Sequence, residues 1–371
     1  MELCRHGDIE EYIKRQPDMR LSPSDVRSIF FQMSFSLLAE KRVYQMKHYD
    51  VKNLNFLLQD GSIGHENGDH ERVRMEYSYD GKVYGVEMPR DSAVIAKLAD
   101  YGTADMKGGD GGGKVTLGNF TTLENTPADF LVLGEDAGQG YGHDEWGLGL
   151  CLWHLATGDC PYEEIMEEVK CPERLRERIS EWWEDEERDE FGVVRSLINA
   201  DVYEDGDEKD YTLHDTLYRY AVMFGIDRVG GSMGKGGEFV AYFKGAIEGD
   251  RKVNKAYEKH RRRFGCDVGV EERVKRGREC LMGMEGGWEC FVGLTNWNKE
   301  ERWSFEDVVK GRMMDELVGE KGDEDGVLAF SSRRRLVDHV GPVFTAGLRD
   351  DGGLALAPES AHEAALYEVG G

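Results

Sequence analysis

The chain has 371 residues, 47 of them basic and 73 acidic, for a net charge of −26, and 40% are hydrophobic. That is apolar material enough for one large domain or two ordinary ones. The anionic balance excludes a nonspecific DNA or RNA binder, because phosphate contacts need cationic patches.

Taken in chain order, the first long element lies between Ser22 and Lys47. Val26, Ile29, Phe30, Met33, Leu37 and Leu38 recur at helical spacing after Ser22 or Ser24 as the cap, which predicts a long buried helix. It feeds the stretch HYDVKNLNFLL, His48 to Leu58, which packs Asp50, Lys52 and Asn55 into six residues ahead of an apolar run. From Arg72 to Met88 the residues Val73, Met75, Tyr77, Tyr79, Tyr84, Val86 and Met88 alternate at period two around Asp80-Gly81, a hairpin signal. Lys107–Lys114, KGGDGGGK, reads as a loop. Trp146–Gly158 is the longest apolar run, too short to cross a bilayer, and reads with its neighbours as a buried helix over His143–Thr157. Neither it nor any targeting segment suggests a membrane partner.

The region from Glu163 to Gly287 mixes helical patches with glycine breaks. Within it, Leu213, Leu217, Tyr220, Ala221 and Phe224 share one face of a predicted core helix. The acidic stretch Glu181–Phe191 and the basic run Lys259–Arg263 are either solvated faces or mutually attracting ones. Asp315–Gly371 has little periodicity and much of it is expected to be disordered. Seven cysteines (4, 151, 160, 171, 266, 280 and 290) lack C-x-x-C spacing. Reduced thiols are expected, in the cytosol or alternatively the nucleus, and no zinc site. His143 and His154 sit at helical spacing and read as packing or capping residues.

Phosphoryl transfer to a hydroxyl needs a carboxylate to orient the acceptor, a cation by the transferring phosphate and oxygen ligands for magnesium. Asp50, Lys52 and Asn55 are of those types within one short loop. His48-Tyr49-Asp50-Val51-Lys52-Asn53-Leu54-Asn55 resembles the H-R-D-L-K-x-x-N motif of eukaryotic protein kinases. Asp100-Tyr101-Gly102 resembles D-F-G, and Pro127-Ala128-Asp129 the end of A-P-E. His143–Glu164 resembles D-x-W-S-L-G-x-x-L-x-x-L-x-T-G-x-x-P-Y, and Leu294–Val309 the segment whose Arg pairs with the acid of A-P-E. The motifs come in the family's order, from Met1 to about Ile165 and from about Trp288 to Met314.

The resemblance implies a mainly α fold with small β-hairpins, the C-terminal lobe of a protein kinase with an enlarged insert. Its parts would be a core at residues 1–165, a helical insert at 166–287, closing helices at 288–314 and a tail at 315–371. It implies ATP and Mg2+ as cofactors and a protein substrate phosphorylated on Ser or Thr, since Lys52 stands where the serine/threonine branch has Lys. Asp50 would be base and orienter, Lys52 would stabilise the γ-phosphate, and Asn55 and Asp100 would hold magnesium. Thr122 would bond the catalytic Asp and Lys, and the Glu2 and Cys4 backbone would meet the adenine edge. Asp144 would brace the catalytic loop, Tyr101 would pack between elements, and Arg302 would pair with Asp129. Tyr49 replaces the family Arg that grips an activation-loop phosphate, which puts switching through Thr103, Thr116 or Thr121 in doubt. Met1–Ile13 resembles the hinge, so the nucleotide-binding small lobe is not among the matched motifs. Val94–Lys97 imitates its strand-Lys motif but reads as the strand entering Asp100. The expectation is either an active kinase represented by part of its sequence or a pseudokinase-like interaction module without catalysis.

Overall fold

The computed structural model describes residues 4–62, 71–105, 125, 127, 140–158, 168–184, 213–226, 235–265 and 272–318, and strands at 328–331, 344–348 and 354–358. Helices dominate, joined by two antiparallel sheets. No helix among the described residues is long and apolar enough to cross a membrane.

Helix α1 (Ile9–Lys14) starts where the Asp8 side chain accepts from the Glu11 amide at 2.8 Å, which satisfies one of the orphan donors of a first turn. Helix α2 (Pro23–Tyr44) is capped the same way by Ser22, with Pro23 at its first position and Lys41 and Arg42 at its carbonyl end. The expected helix is therefore present, with Ser22 and not Ser24 as the cap. Phe30, Phe31, Met33 and Leu38 are buried on several sides because α2 runs through the middle of the core.

Strands β1 (Phe56–Asp60), β2 (Arg72–Tyr79), β3 (Lys82–Pro89) and β4 (Val94–Leu98) follow. β1 pairs with β4, Phe56 opposite Leu98 and Asp60 opposite Val94. The buried Gln32 side chain of α2 donates to the Val94 carbonyl at 3.1 Å and accepts from the Ala96 amide at 3.0 Å, serving the other edge of β4. β2 and β3 form the predicted hairpin, with Asp80 and Gly81 at φ 51° and 69°, as a two-residue turn of primed type requires. All seven alternating apolar residues of the hairpin are buried.

The β structure is small beside the helices, as expected, and lies in two antiparallel sheets: β2 also pairs with β5 (Leu328–Ser331), followed by β6 (Phe344–Leu348) and β7 (Leu354–Pro358) in the order β3-β2-β5-β6-β7. Three short strands of the stretch 315–371 thus belong to this sheet, and most of that stretch lies outside the described residues. A hairpin alone leaves the outer edge of β2 with unpaired backbone groups, and strand addition removes that exposure.

Helix α3 (Gly142–Thr157) stands at the centre, with Trp146, Leu148, Leu152 and Leu155 fully buried. Gly158 at φ 81° ends it. Around α3 lie α4 (Glu173–Glu184), α5 (Leu213–Phe224), α6 (Lys235–Gly249), α7 (Arg251–Phe264), α8 (Glu272–Gly283), α9 (Gly287–Leu294) and α10 (Phe305–Lys310). The helices of 166–287 share one apolar core with the rest: Tyr220 and Phe224 of α5 approach the Trp146 ring at 5.2 and 5.6 Å. Helix α5 was expected to bury one face. It is buried on every side, polar His214, Asp215, Thr216 and Arg219 included, because α7 and the turn before α4 cover its remaining surface. Asp215 accepts from the Cys171 amide at 2.6 Å and from Arg176 at 3.2 Å, so this buried carboxylate is hydrogen-bonded.

Candidate active site

The loop between α2 and β1 carries Asp50, Lys52 and Asn55, and three neighbouring elements hold its backbone. Asp144, in the first turn of α3, accepts from the His48 and Tyr49 amides, both at 2.7 Å. The bracing expected of Asp144 is thus what the structure shows. Tyr49 can present its amide this way because it takes a left-handed conformation, φ 63°, uncommon for a residue with a side chain. Gly147, one turn further on, lets the loop lie directly on α3: a Cβ there would meet the Val51 carbonyl oxygen at 2.7 Å. On the far side, the Lys47 and Asp105 backbones exchange hydrogen bonds of 3.0 and 2.9 Å.

Within the loop, one oxygen of Asp50, Oδ2, accepts from Lys52 Nζ at 2.9 Å and from Asn55 Nδ2 at 2.8 Å. Asn55 Nδ2 also donates to the Asp50 backbone carbonyl at 2.7 Å, closing the loop into a ring. Asp50 and Asn55 are 5% and 6% exposed, so their orientations are set by packing and partners. No hydrogen bond among the described residues engages Asn55 Oδ1.

Strand β4 delivers Asp100 to the same place. The Ala99 amide donates to the Asn55 carbonyl at 2.8 Å, and His48 Nε2 donates to the Ala99 carbonyl at 2.9 Å. Three residues on, the Thr103 hydroxyl donates to the His48 carbonyl at 2.8 Å. Asp100 is thereby fixed beside the Asn55 end of the loop. It is exposed, adopts φ 59°, and accepts from the Gly102 amide at 3.4 Å.

The hinge-like segment is also tied in, since the His6 amide donates to Leu58 and the Leu58 amide to Gly7, at 3.1 and 2.8 Å. Cys4 is half-buried, with its carbonyl accepting from the Gly7 amide at 3.2 Å. Glu2 and Thr122 lie outside the described residues, as do Asp129, Thr116, Thr121 and the glycine-rich stretch 107–114. Arg302 donates to the carbonyls of Asn296 and Gly142, at 2.9 and 2.8 Å, and covers the Trp146 ring; its expected pairing with Asp129 falls outside the described residues.

The Tyr101 ring packs between elements as expected, 5.5 Å from the His48 ring of the loop and with its hydroxyl donating to Glu40 of α2 at 2.7 Å, and it is 48% exposed. The hydroxyl suits that exposure, because burial without a partner would cost more than an exposed bond to a carboxylate. Glu40 is a site residue the sequence did not flag. It is sixty-one positions from Tyr101, and only the packing of α2 against the turn joins them. Burial pushes the Glu40 carboxyl up to about 7, against the lowering effect of the Tyr101 hydrogen bond. Burial likewise raises Asp144 to about 6 and Glu145 to about 7.

Among the described residues no three His, Cys, Asp or Glu side chains cluster into a metal cage. Magnesium does not need one: it keeps several waters and binds through one or two carboxylates plus substrate phosphates. The Asn55 side-chain oxygen Oδ1 and the exposed Asp100 carboxylate, on adjoining backbone, fit that requirement.

No protein-family model matches the chain, and no curated protein matches it. Among solved structures, a chain of the "Crystal Structure of the yeast RNA Pol II CTD kinase CTDK-1 complex" aligns at a TM-score of 0.41 and 12% identity, covering 86% of this chain and 70% of that one. A likeness of that size decides neither fold nor activity. The reading of the site rests on its own geometry.

Proposed function

We propose that the chain is a serine/threonine protein kinase that transfers the γ-phosphoryl group of ATP to a protein hydroxyl. The observation that carries this reading is the ring of Asp50, Lys52 and Asn55, clamped by Asp144 and joined through Ala99 to Asp100. Phosphoryl transfer depends almost wholly on positioning and electrostatics, so a loop this constrained suits it.

Asp50 accepts the hydrogen bond of the incoming hydroxyl and aims its oxygen at phosphorus. Lys52, beside Asp50, places a positive charge where the transferring phosphoryl carries negative charge. Asn55 Oδ1 and Asp100 hold the magnesium ion, which when bound neutralises phosphate charge. Cys4 and Glu2 contribute backbone groups to the adenine edge, and Thr122 positions the loop. The compartment proposed is the cytosol, with the nucleus as alternative, and rests on cysteine spacing.

The test is phosphate transfer from labelled ATP to a Ser/Thr peptide library by the full-length protein, beside its Asp50→Ala variant. Transfer by the wild type that Asp50→Ala abolishes, with unchanged circular dichroism, is expected. Absence of transfer together with absence of any Mg-ATP thermal shift would replace this reading with a non-catalytic interaction module. Transfer that survives Asp50→Ala would remove Asp50 from the mechanism.

A further inference from the structure

Helix α7 carries a feature unrelated to the loop. At about 100° per residue, Arg251, Lys252, Lys255, Lys259 and Arg262 fall within one sector of about 100°. All five are exposed and form no ion pair among the described residues. Val253, Tyr257 and Phe264 occupy the opposite, buried side. Glu258, at the edge of the sector, is the one acid alongside. The remaining cations of the helix have structural tasks: Arg261 donates to the Val222 and Met223 carbonyls, and Arg263 pairs with Glu168.

Helix stability accounts for Arg262, in the last turn, but not for the cations nearer the start of the helix. Arg251 and Lys252 sit in the first turn, at the positive end of the helix dipole, where cations are unfavourable. Arg251, Lys255 and Lys259 follow one another at i, i+4, where like charges repel. A chain with 73 acidic residues nevertheless leaves these cations without partners among the described residues.

We propose that this face of α7 docks an extended acidic segment of a partner protein. Arg251, Lys255 and Lys259 are spaced about 6 Å apart along the axis, close to the roughly 6.7 Å between same-side side chains of an extended chain. Acidic residues at alternate positions would therefore meet successive cations. A nucleic acid fits less well. The aromatic rings of α7, Tyr257 and Phe264, are buried and offer no platform for stacking bases.

The test uses the full-length protein and fluorescence anisotropy with a labelled Glu-Ser repeat peptide and an oligo-dT of equal charge. The variant is Lys255→Gln, Lys259→Gln and Arg262→Gln together, since glutamine keeps helix propensity. The expected result is peptide binding that added salt weakens and that the triple variant reduces at least about tenfold. An unchanged affinity in the triple variant, or no peptide binding at all, would overturn the proposal. So would tighter binding of the oligonucleotide. Peptide binding that appears only after the acids of residues 184–190 are neutralised would show the chain occupying its own face, and would equally reject an external partner.

Discussion

Asp144 sets two forces against each other, and titration can show which prevails. Burial opposes its charge, whereas the His48 and Tyr49 amides, both at 2.7 Å, favour it. Burial is the larger effect and moves the carboxyl from 3.8 to about 6. A carboxyl raised on folding keeps a proton that the unfolded chain has already released. Its contribution to stability is therefore complete below pH 4 and is lost as pH rises through 6. About two units at ~1.4 kcal/mol each make this about 3 kcal/mol. Asp144→Asn cannot ionise, but its NH2 cannot accept a hydrogen bond, so one of the two amides loses its partner at every pH, a constant cost of about 1–3 kcal/mol. Urea unfolding at intervals from pH 4 to 8 should find the variant less stable by that constant at pH 4, with the difference moving in its favour by about 3 kcal/mol between pH 4 and pH 7 to 8. Glu40 and Glu145 are also raised, in part by the Asp144 charge itself, so their titrations move with the substitution and the pH trend of the difference is the quantity to read. A difference independent of pH, or one that favours the wild type as pH rises, would refute the reasoning and show the two amides to be the stronger influence.

Asn55→Ala removes both hydrogen bonds to Asp50 and, on the proposed function, one magnesium ligand; a loss of about 1–3 kcal/mol in urea unfolding, together with loss of phosphate transfer, is expected. Gly147→Ala drives a methyl into the Val51 carbonyl and should cost about 1–3 kcal/mol, whereas Gly245→Ala on α6, with nothing within 4 Å of the new atom, should stabilise by about 0.5–1 kcal/mol. Differential scanning calorimetry of the pair checks both signs. Tyr101→Phe deletes the hydroxyl that holds Glu40 down, so the Glu40 carboxyl should titrate above its present value of about 7, read by carbon NMR of the labelled side chain.

Much of the framework was legible in local pattern. Apolar residues at helical spacing after Ser22 or Ser24 announced α2, Asp80-Gly81 announced the hairpin turn, and the run around Trp146 announced α3, because caps, turns and periodicity are settled by neighbours a few positions apart. The site was legible in part for the same reason, since Asp50, Lys52 and Asn55 share one loop. Glu40 was not, because it meets Tyr101 only once α2 is packed. The three-strand extension of the hairpin was missed too, as β2 and β5 are some 250 positions apart and their pairing leaves no local mark.

The order of residues alone determined which side chains could do chemistry in the loop and which stretches would coil or pleat, since propensity, capping and alternation act over one or two turns. Tertiary structure decided that Asp144 grips the loop backbone, that Ala99 carries Asp100 to Asn55, and that five cations of α7 face outward together. Those facts depend on which surfaces exclude water against each other, and apolar burial is non-directional: it shows in the sequence as a need for cover, without naming the element that supplies it.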